Sequence, residues 1–183
     1  MELERIEGRH CGACTACCSF APIRVETLRK PANMLCLHCA EGQGCTVYDL
    51  RPQVCRSFYC GWFYLPELGP QWHPEQSGVV IRSESQDGDT ITILVLRISE
   101  FLISEDFAGV VGAWIEAGIP VEFERLGPPG HLPAKMGVNE LLEEALAKRD
   151  LREMQQLFAW ALAHIDQSPV WERDQTTFFS ALA

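Results

Sequence analysis

Runs of β-branched and apolar residues are clearest in the middle of the chain, where they predict a small β-sheet. Residues 78–83 and 90–98 are rich in Val and Ile, and they flank the sequence Gln-Asp-Gly-Asp. An Asp-Gly pair between two such runs predicts a β-hairpin, because these residues readily adopt the backbone of a tight turn. Residues 120–126 predict a third strand, which ends at Gly-Pro-Pro-Gly.

Helical periodicity lies on both sides of the predicted third strand. Residues 101–117 carry Phe, Leu, Val and Trp at helical spacing, with Ser104 and Asp106 as candidate starts and Gly118 as a candidate stop. Residues 139–167 contain good helix formers, and their apolar positions recur with helical spacing until a Gln-Ser-Pro sequence ends the pattern. The second half of the chain is therefore predicted to contain a sheet followed by helices.

The first third of the chain lacks such periodicity and is marked by cysteine instead. All nine cysteines lie within residues 11–60, among Gly and Pro residues that favour loops and short turns over long elements. Residues 23–30 predict a short strand or helix, and the aromatic, Pro-rich residues 61–77 are expected to wrap over the cysteine-rich part and cover it.

These patterns together predict an α+β fold. A cysteine-rich metal-binding loop module at residues 1–77 is followed by a small β-hairpin or sheet with C-terminal helices at residues 78–183. The second part is expected to pack on the first, either as a separate unit or as one compact domain with it.

The net charge, the N-terminal sequence and the length of the apolar runs disfavour several classes of function. The formal net charge of −10 disfavours binding to nucleic acid or to anionic lipid, both of which depend on neutralising phosphate. The N-terminus lacks a basic region followed by an apolar stretch, and the longest apolar runs are too short to span a membrane. We therefore expect a cytoplasmic protein, in a reducing compartment that disfavours stable disulfides.

The spacing of the cysteines predicts a metal site. The run Cys11-x2-Cys14-x2-Cys17-Cys18 is followed by Cys36-x2-Cys39 and by Cys45, Cys55 and Cys60. A C-x2-C pair lets two thiolates converge on one ion, and several overlapping pairs are typical of metal binding. A disulfide framework is disfavoured by the odd count, and a catalytic thiol would not need eight further cysteines. Burial as a small apolar residue is the simplest alternative for any one cysteine.

The identity of the metal stays open at this stage. Thiolates select soft or borderline ions, so zinc and iron are both candidates, and two zinc sites would use eight of the nine cysteines. Three cysteines at x2 spacing also resemble the ligand pattern of a 4Fe–4S cluster. His10 and His38 each neighbour a cysteine, and their role as ligands is equally open.

Further motifs give this region a resemblance to a known family. Lys30-Pro-Ala-Asn precedes Cys36, Gly44-Cys45-Thr-Val-Tyr follows, and Arg51-Pro-Gln-Val-Cys-Arg ends the pattern. Together with the first cysteine run, this order resembles the YkgJ-type cysteine-cluster family, described as a zinc- or iron-chelating domain. The match covers residues 11–60. The resemblance implies seven metal ligands, which are Cys11, Cys14, Cys17, Cys18, Cys36, Cys45 and Cys55.

Three other features of the region bear on the site. Cys39 stands where the family often has an apolar residue, and Cys60 lies beyond the last motif that the family shares. The resemblance therefore leaves the ligand role of both cysteines open. Arg51 and Arg56 are expected to support the site by donating hydrogen bonds to thiolates or to loop carbonyls.

Two functions are consistent with this sequence. The first is a binding module, in which the metal is structural or is a sensed or stored cargo, and the C-terminal part meets a protein partner. The second is an iron-dependent or iron–sulfur-dependent oxidoreductase or protein-modifying enzyme, since the family resembled includes a module of flagellin lysine methylases. The chain has no phosphate-binding loop, H-E-x-x-H or G-x-S-x-G motif, and this absence favours the binding module.

Overall fold

The fold of the chain is α+β, as the sequence predicts. The structure is a computed structural model and describes residues 5–40, 42–58, 60–84, 90–131 and 133–165. Within these ranges, no helix has both the length and the apolar character needed to cross a bilayer.

Short elements separated by turns build the cysteine-rich segment. They are α1 (Ala16–Phe20), β1 (Ile23–Val25), β2 (Leu28–Lys30), β3 (Cys39–Ala40), β4 (Gly44–Cys45) and α2 (Gln53–Arg56). The first two strands pair antiparallel, as do β3 and β4. The segment predicted as a short strand or helix is thus a small hairpin. A turn of only two residues joins the two strands, so the segment contains no helix.

Residues 61–77 connect the cysteine-rich segment to the rest of the structure. They form 3-10 turns at Gly61–Phe63 and Pro70–Trp72, followed by the one-turn helix α3 (Pro74–Ser77). Leu68 and Trp72 are fully buried among the side chains of the C-terminal part. This segment is therefore also part of the main core, to which Leu68 and Trp72 belong.

A four-stranded sheet forms the centre of the C-terminal part. Its strands are β5 (Val79–Glu84), β6 (Thr90–Val95), β7 (Val121–Arg125) and β8 (Ala134–Gly137), in that spatial order. The β5–β6 and β7–β8 pairs are antiparallel, and β6 pairs parallel with β7. The predicted hairpin strands and the third strand are confirmed, whereas the Asp-Gly turn lies outside the described residues. The fourth strand, Ala-Lys-Met-Gly, carries no β-branched residue and went unpredicted.

Three helices cover one face of the sheet. They are α4 (Glu105–Glu116), which follows a 3-10 turn at Glu100–Ile103, then α5 (Asn139–Lys148) and α6 (Leu151–His164). Ser104 begins α4 as predicted, since its side chain accepts a hydrogen bond from the Phe107 N–H. Gly118, at a φ of +78°, follows the helix. The predicted end near residue 167 lies outside the described residues.

The Ser104 cap gives a direct test of this helix start. Replacing Ser104 by Ala removes the acceptor for the Phe107 N–H, so we expect the free energy of unfolding to fall by about 1 kcal/mol. Ser104→Asp keeps an acceptor and should retain stability within experimental error. Urea unfolding followed by circular dichroism measures both, and an equal loss in the two variants would contradict the assignment.

The two faces of the sheet carry different layers. Ile81, Ile93 and Phe123 pack against the helices, whereas the neighbouring positions Val80 and Leu94 point to the opposite face. There they contact Ala16 and Phe20 of α1, with Cys14, Cys17 and Cys60 packed against them. The cysteine-rich segment thus rests directly on the sheet, and this contact fixes where its thiols lie.

A buried ion pair lies on the same face of the sheet. The Arg82 guanidinium donates to the Glu124 carboxylate, which is 1 % exposed, and the Lys135 ammonium lies 3.0 Å from the other carboxylate oxygen. Arg82 also lies over the Phe20 ring, with its guanidinium carbon 5.9 Å from the ring centroid. A buried carboxylate is stable only with such partners, so this pair ties β5 to β7 beneath the cysteine-rich segment.

Candidate metal centre

The structure gathers the predicted ligands around one cavity. This space of about 250 Å³, here called the cysteine cavity, is lined by all seven: Cys11, Cys14, Cys17, Cys18, Cys36, Cys45 and Cys55. Apolar side chains, among them Phe20, Ile23, Leu28 and Phe58, form much of the remaining wall. The sulfurs therefore share a surrounding from which water is partly excluded.

Local hydrogen bonds hold the first four cysteines in place. The Cys14 N–H donates to the Cys11 carbonyl at 2.9 Å, which closes a turn just before α1. Cys17 and Cys18 both lie on α1. The Cys36 N–H donates to the Cys18 carbonyl at 2.9 Å, so the loop that carries Cys36 is fastened to the end of α1.

The β3–β4 hairpin brings Cys39 and Cys45 together. These two residues are directly opposite each other in the antiparallel register. Gly44 stands beside Cys45 at a φ of +74°, and a Cβ atom at this position would lie 2.7 Å from the Gly12 carbonyl oxygen. The hairpin can approach the Cys11–Cys14 turn this closely only because residue 44 is glycine.

This close approach predicts a large difference between two glycine substitutions. Gly44→Ala introduces both an unfavourable positive φ and a collision with backbone, so we expect loss of more than 2 kcal/mol of stability and of metal binding. Gly42→Ala has a similar φ of +72° but meets nothing within 4 Å, so it serves as the matched control. Chemical unfolding and metal analysis of both variants check the prediction, and equal effects would show that backbone strain alone is responsible.

Arg51 supports the wall of the cavity near α2. Its Nε donates to the Tyr48 carbonyl at 2.7 Å, and its guanidinium carbon lies 3.5 Å from the centroid of the Tyr48 ring. The Tyr48 hydroxyl in turn donates to Cys11 Sγ at 3.7 Å. Arg56 donates to the carbonyls of Asp49 and Arg51. Both arginines therefore bond to loop carbonyls, one of the two roles expected of them.

Electrostatic interactions link Cys18 to several other thiols, and Cys36 acts on the same ones. Hydrogen bonding to Cys17, followed by burial, raises the pKa of the Cys18 thiol, whereas a hydrogen bond with Cys39 opposes this. Burial and the Cys18 charge raise the pKa of Cys39 to about 11, and the same two causes are among those that raise the pKa of Cys45 and Cys55. We call Cys17, Cys18, Cys36, Cys39, Cys45 and Cys55 the Cys18 group.

Cys60 belongs to a second set of thiols. Burial, then the charges of Cys11 and Cys14, raise the pKa of Cys60 to about 12. Burial raises the pKa of Cys14 to about 11, and charges at Cys11 and Cys18 add to this, so the two sets adjoin each other. A smaller cavity of about 30 Å³ is lined by Cys11, Cys14 and Cys60 and by Cys17, and its wall includes Trp62, Phe63 and His73. We call Cys11, Cys14 and Cys60 the Cys60 group.

The sequence leaves open whether Cys39, Cys60, His10 and His38 are metal ligands, and the structure places these four residues differently. Cys39 is a neighbour of Cys18, and Cys60 is a neighbour of Cys11 and Cys14, although neither lines the cysteine cavity. His38 lines that cavity, whereas His10 is exposed and lines none of the cavities around the cysteines. These positions follow from the register of the β3–β4 hairpin and from the residues that line the cavity. The spacing of cysteines along the sequence does not predict them.

The nine cysteines are all free thiols in this structure. Within the described residues, no group of three or more His, Cys, Asp or Glu side chains is arranged to hold a metal ion. The donor chemistry nevertheless fits a soft or borderline cation, since seven cysteines and one histidine line a single cavity. Because thiolates are the form that binds metal, loading the site would displace protons from thiols whose pKa burial has raised.

Comparison of the chain with protein-family models, curated proteins and solved structures finds no match.

Proposed function

We propose that this chain is a metal-binding protein that holds zinc or iron through the thiolates of the cysteine cavity, with a 4Fe–4S cluster as one form of the iron centre. The observation that carries the proposal is the convergence of Cys11, Cys14, Cys17, Cys18, Cys36, Cys45 and Cys55 on that cavity. Cysteines that serve only as small apolar residues have no reason to share one wall, because packing alone does not select sulfur. Membership of the YkgJ-type family is part of the same proposal and rests on the motifs of residues 11–60.

The number of thiols supports more than one metal ion per chain. A tetrahedral zinc ion takes four ligands at about 2.3 Å for sulfur. Seven thiols around one cavity exceed that requirement, and Cys39 and Cys60 lie beside them. A pair of zinc ions or a polynuclear iron centre uses such a set more fully than one ion does.

The surroundings support a protein that binds its metal in the cytoplasm. Nine unpaired thiols suit a reducing compartment, in which structural disulfides are rare. The net charge of −10 favours a protein partner over nucleic acid or an anionic membrane. The alternative of an iron-dependent oxidoreductase or protein-modifying enzyme stays a prediction from the sequence.

Anaerobic purification followed by metal and sulfide analysis tests the proposal. We expect zinc or iron at one or more equivalents per chain. Equal amounts of iron and sulfide with broad visible absorption would indicate an iron–sulfur cluster, whereas a colourless protein with zinc would indicate thiolate zinc sites. Chelation should lower helicity and the unfolding temperature. A folded protein that neither contains nor takes up either metal would refute the proposal.

A further inference from the structure

Lys30 is a buried cation beside the proposed metal centre. It ends β2, shares a face of that strand with Leu28, and is 3 % exposed. Lysine is rarely buried to this extent without a partner of opposite charge, because removing an ammonium group from water is costly. Its position therefore calls for a nearby source of negative charge.

The hydrogen-bond partners of Lys30 suit an ammonium group. Nζ donates to the carbonyl oxygens of Met34 at 2.6 Å, Ser19 at 3.2 Å and Pro31 at 3.2 Å. An ammonium group has three donors and no acceptor, whereas a neutral amine would direct a lone pair at one of these oxygens. Three carbonyl acceptors thus match the charged form.

These carbonyls place the charge between two cysteine-bearing segments. Ser19 directly follows Cys18, and Met34 lies two residues before Cys36. Carbonyl oxygens satisfy the donors of Lys30 but supply no net charge. Burial lowers the pKa of Lys30, and thiolates at Cys36, Cys18, Cys17 and Cys55 oppose this lowering. Among the described residues, no carboxylate forms an ion pair with Lys30.

We propose that Lys30 is a positioning residue whose buried ammonium compensates the negative charge of the metal-loaded thiolates. The inference rests on the proposed metal function. Four thiolates on a divalent ion leave a net charge of about −2, and a fixed cation nearby lowers the cost of holding that charge in a partly apolar cavity. Lys30 thereby favours the loaded state over the metal-free state, in which the thiols carry protons.

Two substitutions at this position separate charge from hydrogen bonding. Lys30→Gln removes the charge but keeps amide donors for the carbonyls, whereas Lys30→Arg keeps the charge. We expect the zinc affinity of Lys30→Gln, measured by competition with a chromogenic chelator, to fall about 10–100-fold, as is typical for residues that support metal ligands. Lys30→Arg should retain more of the affinity than Lys30→Gln does.

Two further variants exclude indirect effects. Lys148→Gln removes an exposed charge far along the chain and should bind zinc like the wild type. Asn33→Gly removes a tether of the same loop, in which Asn33 Nδ2 donates to the carbonyls of Gly127 and His131, and it tolerates the φ of +58°. A loss in Asn33→Gly as large as in Lys30→Gln would show that loop order, not charge, sets the affinity.

Measurements on the metal-free proteins complete the test. Unfolding in guanidinium, followed by circular dichroism, should show that Lys30→Gln is folded and that its loss of zinc affinity exceeds its loss of stability. Wild-type zinc affinity in a folded Lys30→Gln protein would overturn the inference but leave the proposed function intact. A wild-type protein that binds no zinc or iron refutes both. If Lys30→Gln does not fold without metal, folded Lys30→Arg decides the question: retained affinity supports the inference, and its loss overturns it.

Discussion

Replacing Cys18 by Ser should abolish the binding of the zinc or iron held by the Cys18 group. Cys18 lies on α1 next to Cys17 and lines the cysteine cavity. As a thiolate it helps to raise the pKa of Cys39, Cys45 and Cys55, and it opposes the lowering of the Lys30 pKa by burial. Ser supplies an oxygen in place of the soft sulfur that zinc and iron–sulfur centres prefer. The loss of Cys18 therefore removes a sulfur from the larger of the two sets of neighbouring thiols.

Cys60→Ser is the matched control for this prediction. Cys60 has a partly buried thiol of the same chemistry, but it neighbours Cys11 and Cys14 and does not line the cysteine cavity. We expect it to retain at least the metal held by the Cys18 group. Elemental analysis and competition with a chelator compare the two variants after anaerobic purification. Equal metal content in Cys18→Ser and Cys60→Ser would contradict the division of the thiols into two groups.

Arg82→Met should destabilise the protein by about 3–5 kcal/mol. The substitution removes the guanidinium that donates to Glu124 and leaves that carboxylate, which is 1 % exposed, with Lys135 as its remaining cationic partner. The cost arises from the buried charge that remains, because the net contribution of a buried ion pair is much smaller than the cost of breaking it. Urea unfolding of the metal-free protein measures the change.

The double variant Arg82→Met with Glu124→Leu tests the origin of this cost. With both charges removed, the site becomes apolar and most of the lost stability should return. Lys148→Met is a control, since it removes an exposed cation, paired with Glu144, that lies outside this ion pair, and such exposed pairs contribute little to stability. A double variant as unstable as Arg82→Met alone would show that Arg82 stabilises the fold through contacts other than Glu124, such as Phe20.

Local signals account for the parts of the fold that were predicted. Val and Ile runs specify β5 and β6, because β-branched residues suit a half-buried pleated surface. Ser104 specifies the start of α4, since its side chain satisfies a backbone donor that the helix itself leaves free. The strand β8 escaped prediction because Ala134–Gly137 has no strand propensity of its own, and its pairing with β7 supplies the reason for its conformation.

By itself, the sequence determined the α+β class, because strand runs and helix caps are local features. Its resemblance to a known family over residues 11–60 singled out seven cysteines, which line one cavity, and their role as metal ligands stays a prediction. The tertiary structure alone decided three further matters. It placed Cys39 opposite Cys45, set Cys60 beside Cys11 and Cys14, and buried Lys30 between two cysteine-bearing segments. These relations join residues distant along the chain, so they depend on the approach of Gly44 to Gly12 and the packing of α1 on the sheet.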